Sequence, residues 1–115
     1  MKGTNVSKYF KDLKVLGEKI EEDKRFNEIL QFCKVLGNNE RLKIIQVLKK
    51  DDKCVCELET VLNKAQSTIS HHLRKLEEIG LIRGWKKGKF THYDVITEKL
   101  IYFLNQLDAG LKKNL

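Results

Sequence analysis

The chain contains no proline, three cysteines, one methionine and one tryptophan in 115 residues. So few cysteines, and an odd number of them, exclude a disulfide framework as the source of stability and point to a reducing compartment. No stretch approaches the roughly 20 uninterrupted apolar residues that a membrane-spanning helix requires. The opening residues MKGTNVSKYFKDLK carry charges where a signal peptide needs its apolar run, so a cytoplasmic, non-membrane protein is expected. The length excludes the large barrel enzymes, which need roughly 200 or more residues, and leaves one domain with one core. Apolar residues recur throughout, which argues against disorder.

What the chain has in excess is positive charge. Its 23 basic and 16 acidic residues give a net charge of +7. Residues 1–24 are nearly balanced. Residues 64–92 carry Lys64, Arg74, Lys75, Arg83, Lys86, Lys87 and Lys89 against Glu77 and Glu78. A basic excess gathered in one quarter of the chain favours a polyanionic partner such as nucleic acid or an acidic membrane surface; a soluble, lysine-rich protein is the plain alternative.

Without proline, the seven glycines carry the punctuation. Val6, Tyr9, Phe10, Leu13, Leu16 and Ile20 recur at helical spacing, and so do Phe26, Ile29, Leu30, Cys33 and Leu36 before Gly37, which is expected to take a left-handed cap conformation. Asn38 or Asn39 is expected to cap a third helix bearing Leu42, Ile44, Ile45, Val47 and Leu48. A short helix over about 54–62, a turn at 63–65 and a helix over about 66–79 follow. After Gly80 the period changes to two: 81–86 and 90–95 read as strands joined through Lys87, Gly88 and Lys89. Thr97 is expected to cap a last helix with Leu100, Ile101, Phe103, Leu104, Leu107 and Leu111. The expected fold is α+β, mainly helical: a winged helix-turn-helix with a two-stranded wing. It divides into an N-terminal dimerisation helix (1–24), the helix-turn-helix (54–80), the wing (81–95) and a C-terminal dimerisation helix (97–112). The apolar stripes of the first and last helices exceed what so small a domain easily buries, which predicts a homodimer.

On the second helix of the pair, Ile69, Leu73 and Leu76 share one side. Ser67, Ser70, His71 and Arg74 project from the other, with Gln66 and Thr68 beside them at the helix start. Hydroxyls and donors of this kind reach base edges and phosphates in a major groove. Arg74 suits either guanine or, two turns from the helix N-terminus, a phosphate. Lys86, Lys87 and Lys89 around Gly88 suit phosphate or minor-groove contact, although a solvated hairpin tip is also lysine-rich. The predicted DNA-binding set is therefore Gln66, Ser67, Thr68, Ser70, His71, Arg74, Lys86, Lys87 and Lys89.

The segments LGNNERLKIIQVL, CVCEL, QSTISHHLRKLEEIGLI and KKGKFTHYDV resemble the ArsR/SmtB family of winged-helix, metal-responsive repressors over about residues 29–112. The resemblance implies a homodimeric transcriptional repressor, bound to double-stranded DNA at an inverted repeat and released by an inducer. It also implies a thiol box at Cys54 and Cys56 for a thiophilic metal or metalloid ion. Several positions depart from the family pattern. Asn39 stands where a proline is usual, Ala65 replaces the usual N-cap serine of the reading helix, and Glu59 occupies the third-cysteine position of arsenite-responsive members. Residues 1–32 hold no Cys or His, and the last helix holds no His. In a regular helix Cys54 and Cys56 lie about 200° apart, so joint ligation is expected to require an unwound helix start. Cys33 shares an apolar face and is expected to be a buried structural thiol rather than a ligand. His71 is expected on the DNA face, His72 at the buried edge and His92 on the second wing strand. Rival readings are a winged-helix protein-interaction module, a regulator of the same type without a metal response, a thiol redox switch, and an enzyme using Cys56 with His71 or His72. No orienting third group or substrate pocket supports the enzyme.

Overall fold

A computed structural model describes residues 3–113; the outermost residues of the expected 1–24 segment, Met1 and Lys2, lie outside them. The elements, in order, are α1 (Gly3–Glu22), α2 (Lys24–Leu36), α3 (Asn39–Leu48), β1 (Lys53–Cys54), α4 (Val55–Leu62), α5 (Gln66–Glu78), β2 (Ile82–Lys87), β3 (Phe90–Val95) and α6 (Thr97–Leu111). Polar caps set two of the helix starts. The Asp23 carboxylate accepts from Phe26 N at 3.0 Å, and the Asn38 side chain accepts from Arg41 N at 3.0 Å. Thr97 does not cap α6; Ile96 occupies that position and Thr97 is the first helical residue.

The core lies where α3, α4, α5 and the base of the hairpin converge. Ile44, Leu48, Leu58, Ile69, Leu73, Leu76 and Leu81 are fully enclosed. Phe32 of α2 and Phe103 of α6 stack at 5.0 Å between ring centroids and tie the outer helices to it. On α2 the buried residues are Phe32 and Val35, whereas Phe26, Leu30 and Cys33 are exposed. This corrects the core assignment of Cys33. The α2 helix has apolar residues on two sides, and periodicity alone does not tell which side faces the core.

Gly37 has φ −75°, so it is not a left-handed cap. Its need is for space, because a Cβ there would stand 2.8 Å from the Cys33 carbonyl oxygen. Among the described residues the left-handed positions are Asn63 (φ 52°), Gly80 (φ 75°) and Gly88 (φ 65°).

The sheet has three strands, in the order β1-β3-β2. The β2–β3 hairpin is the expected wing, with Trp85 opposite His92 and Lys87 opposite Phe90. The third strand was not expected: two residues, Lys53 and Cys54, pair antiparallel with Tyr93 and His92. A strand that short leaves no period to detect. At the other end, α1 projects from the body and stretches the molecule to 72 Å, against 28 and 20 Å across.

Candidate nucleic-acid interface

α4 ends at Asn63, whose left-handed backbone turns the chain through Lys64 and Ala65 into α5. Ala65 makes no side-chain cap, so the first N–H groups of α5 stay open at the positive end of its dipole. The helix seats Ile69, His72, Leu73 and Leu76 in the body. Gln66, Ser67, His71 and Arg74 are exposed, while Thr68 and Ser70 are half-buried at the rim of the same face.

His72 is 7% exposed and held from α3. Arg41 donates from Nη1 to His72 Nδ1 at 3.1 Å and from Nε to the Val35 carbonyl at 2.5 Å. The Glu40 carboxylate lies 4.0 Å from His72 Nε2 and 3.8 Å from Lys64 Nζ. Burial first, and the Arg41 charge second, push the His72 pKa below its ordinary value. Arg41 of α3 thus ties the His72 ring of the reading helix to the end of α2.

The wing is fixed just as specifically. The inner face of the hairpin carries Ile82, Gly84 and Lys86, and a Cβ on Gly84 would meet the Tyr93 ring at 2.8 Å. Its outer face carries Arg83, Trp85 and Lys87 opposite Asp94, His92 and Phe90. Asp52, just before β1, pins that face: its carboxylate is 2.7 Å from His92 Nδ1 and 3.9 Å from Lys87 Nζ. The His92 hydrogen bond chiefly, with Lys87 adding to it, holds the Asp52 pKa below the usual carboxylate range.

Lys86 and Lys89 face Gln66 across a cleft of about 370 Å³ that Cys56, Glu59 and Phe90 also line. The wing tip and the N-terminus of the reading helix thus stand together at one end of the molecule. Lys87 sits on the opposite face of the hairpin, and Arg74 lies two turns along α5, away from the cleft. Asp52, His92, Arg41 and Phe90 carried no sequence signal as site residues, because register and helix docking bring them into place.

Cys54 is 5% exposed and Cys56 is exposed. Cys54 is not in the helix: with φ −81° and ψ 166° it is the extended N-cap of α4. The Glu57 carboxylate accepts from Cys54 N at 3.0 Å, and the Cys54 sulfur faces the Glu57 N–H, completing a capping box. The Cys54 thiol also meets that of Cys56, and this contact, with burial, raises its pKa. The expected need to unwind a helical turn is thereby corrected. As an extended N-cap, Cys54 is not bound by the roughly 200° separation of two helical residues. Two thiols suit a soft ion, but among the described residues no group of three or more His, Cys, Asp or Glu could hold one. One chain does not supply a closed tetrahedral zinc site.

A reading helix entered through a tight turn, with a basic hairpin beside it, defines a winged helix-turn-helix. The family described as "Bacterial regulatory protein, arsR family" matches residues 38–83. The chain is 35% identical over 81 residues to the cadmium resistance transcriptional regulatory protein CadC of Listeria innocua, covering 70% of this chain and 66% of that protein. It is 31% identical over 83 residues to the arsenical resistance operon repressor of Staphylococcus xylosus, covering 72% and 80%. A crystal structure of a possible transcriptional regulator for arsenical resistance superposes with a TM-score of 0.64 at 28% identity, covering 70% of this chain and 83% of that one. The chain belongs to the arsR family, a family of transcriptional regulators. Among the described residues no helix is long and apolar enough to cross a membrane.

Proposed function

We propose that the protein is a homodimeric, DNA-binding transcriptional repressor. Its α5 lies in the major groove of each half of an inverted repeat, and its wing lies on the flanking backbone or minor groove. The observation that carries this reading is the shared end of the molecule formed by the open N-terminus of α5, Gln66, and the lysines Lys86 and Lys89. Gln66, Ser67, Thr68, Ser70 and His71 reach base edges and phosphates, Arg74 meets a phosphate or guanine, and Lys86, Lys87 and Lys89 meet phosphates or the minor groove. In this reading 54–80 reads DNA, 81–95 is the wing, and 1–24 and 97–112 hold the dimer together.

The effector is a thiophilic metal or metalloid ion taken by the Cys54 and Cys56 thiolates. Cadmium and arsenical resistance in the names of the relatives supports that class. Cys56 lines the cleft shared with Gln66, Lys86 and Lys89, so an ion there acts within a few residues of the DNA contacts. It shifts the equilibrium only by binding the DNA-free form more tightly than the bound one. Selection of duplexes from a random-sequence pool, followed by titration with cadmium and arsenite, tests both halves. An inverted repeat bound tightly and released by either ion is the expected result. Selection of no duplex would overturn the repressor, and binding indifferent to both ions would overturn the effector.

A further inference from the structure

The wing tip carries an exposed aromatic side chain set among lysines. Phe90 is 54% exposed, and it follows the run Lys86, Lys87, Gly88, Lys89. A single exposed apolar side chain is ordinary on a protein surface; what sets Phe90 apart is its place among the lysines of the tip. Trp85, also exposed, lies one step back on the same outer face, its ring 6.3 Å from that of His92. The tip is slender. Gly88 turns with φ 65° and has nothing within 4 Å of where a Cβ would stand.

We propose that Phe90 is a wedge that enters the minor groove of duplex DNA beside the major-groove segment read by α5, partly unstacking one base step and bending the duplex. The proposal rests on the DNA-binding reading given above. Three considerations select this occupant. Lys89 precedes the ring and Lys87 stands opposite it across the hairpin, cations that favour a polyanion, and duplex phosphates line both walls of the groove. Phe90 lines the cleft that Gln66 also lines, so the wing tip adjoins the end of α5 that starts the reading face. An apolar side chain delivered between cations is the arrangement by which minor-groove proteins open a base step, bending DNA by roughly 20–90°. Specificity then arises at flanking steps that no side chain hydrogen-bonds, because flexible pyrimidine–purine steps yield most readily.

The test uses the full chain and a duplex that the wild-type protein selects from a random pool. 2-Aminopurine is placed at each flanking step in turn, and end-to-end energy transfer reads the bend. Phe90→Leu keeps an apolar wedge and Phe90→Ser removes it. Circular dichroism checks that both fold, which the exposure of the ring predicts. Wild type and Phe90→Leu should raise 2-aminopurine fluorescence at one flanking step and bend the duplex. Phe90→Ser should do neither and bind about tenfold more weakly, within the range that a lost base–aromatic contact covers. Its salt dependence should be unchanged, since no phosphate contact is lost. Equal bending and affinity for Phe90→Ser would overturn the wedge and leave the repressor intact. Failure of the wild-type protein to select any duplex would overturn both.

Discussion

Arg41 and His72 meet at 3.1 Å, and this contact fixes the tautomer of a buried histidine on the reading helix. A guanidinium can only donate, so Nδ1 of His72 accepts, and its proton resides on Nε2 toward Glu40. Arg41 simultaneously donates to the carbonyls of Val35 and Lys34 at the end of α2. The α2–α3 junction and the reading helix are thus tied through one neutral ring. Adding a proton to Nδ1 would set a donor against a donor and a cation against a cation.

The first prediction concerns acid. The folded pKa of His72 is lowered by burial and then by Arg41, so the unfolded chain takes up the proton first. The stability it contributes is complete above about pH 6.5, the ordinary histidine value, and is lost as pH falls through the lower folded value. His72→Asn places an amide oxygen near the Nδ1 position and does not titrate. Melting temperatures of the two proteins should diverge least at about pH 5 and most above about pH 7. Glu40 and Asp52 also have lowered pKa values, but their contributions are lost only in the carboxylate range, further into acid. A wild-type-minus-variant difference that stays constant from neutral pH into that acid region would contradict the assignment.

The second prediction separates reading from anchoring. Lys86→Ala with Lys89→Ala removes two cations at the α5 end of the wing. The log–log salt slope should become shallower by about 1.8 if each meets one phosphate, with affinity reduced similarly on all sequences. Ser70→Ala with His71→Ala should leave the slope nearly unchanged and relax base preference, by roughly 1–3 kcal/mol at each position read. Fluorescence from Trp85, the chain's only tryptophan, reports the wing directly in either experiment. Unchanged base preference in the Ser70 and His71 variant would mean that α5 reads with another face.

Much of the architecture was legible because it rests on periodicity. The Ile69, Leu73 and Leu76 stripe of α5 and the alternation of the hairpin are local patterns, and both are present where expected. What was not legible depends on pairing across the chain. Two residues of β1 have no pattern of their own, yet their register against Tyr93 and His92 lifts Cys54 out of α4 and so changes what the thiols can do together. Cys33 fails for a different reason: α2 is apolar on two sides, and its Phe32 side meets Phe103 of α6, a partner distant in sequence.

The third prediction follows from the position of Cys54. As the N-cap of α4, it occupies a site where serine is preferred, with Glu57 already in place for a capping box. Cys54→Ser exchanges a weak sulfur acceptor for a hydroxyl that the Glu57 N–H can satisfy, which offsets the lost burial of sulfur. Its stability should remain within about 1 kcal/mol of wild type. Cys56→Ser, at an exposed position, should also fold and bind DNA normally. Each variant should lose release by cadmium or arsenite, because one thiolate does not form the pair. Thermal melts and ion-titrated DNA binding read these effects. Release that survives the loss of both thiols would exclude the Cys54 and Cys56 site.

The last prediction is the dimer. On α1 the side chains of Phe10 and Leu16 are 63% and 53% exposed, and Tyr9, Leu13 and Ile20 are exposed beside them. Where α1 meets α2 and the end of α6, a groove of about 500 Å³ is lined by Ile20, Phe26, Ile29, Leu30, Cys33 and Leu111 among others. A contiguous apolar surface on this scale marks an interface, and we expect a second copy to cover it by pairing like helices about a two-fold axis. Sedimentation at micromolar concentration without DNA should give the dimer mass. Leu13→Glu with Leu16→Glu should give a folded monomer, because both side chains are exposed in the single chain and their loss leaves the core untouched. That monomer should also lose most of its operator affinity, since the two reading helices must sit about one helical turn apart, roughly 34–36 Å, to engage both half-sites. Cys33 offers an independent check, because its thiol should react with a maleimide in the monomer and be protected in the dimer. A wild-type monomer, or a double variant that still sediments as a dimer, would show that α1 does not hold the two chains together.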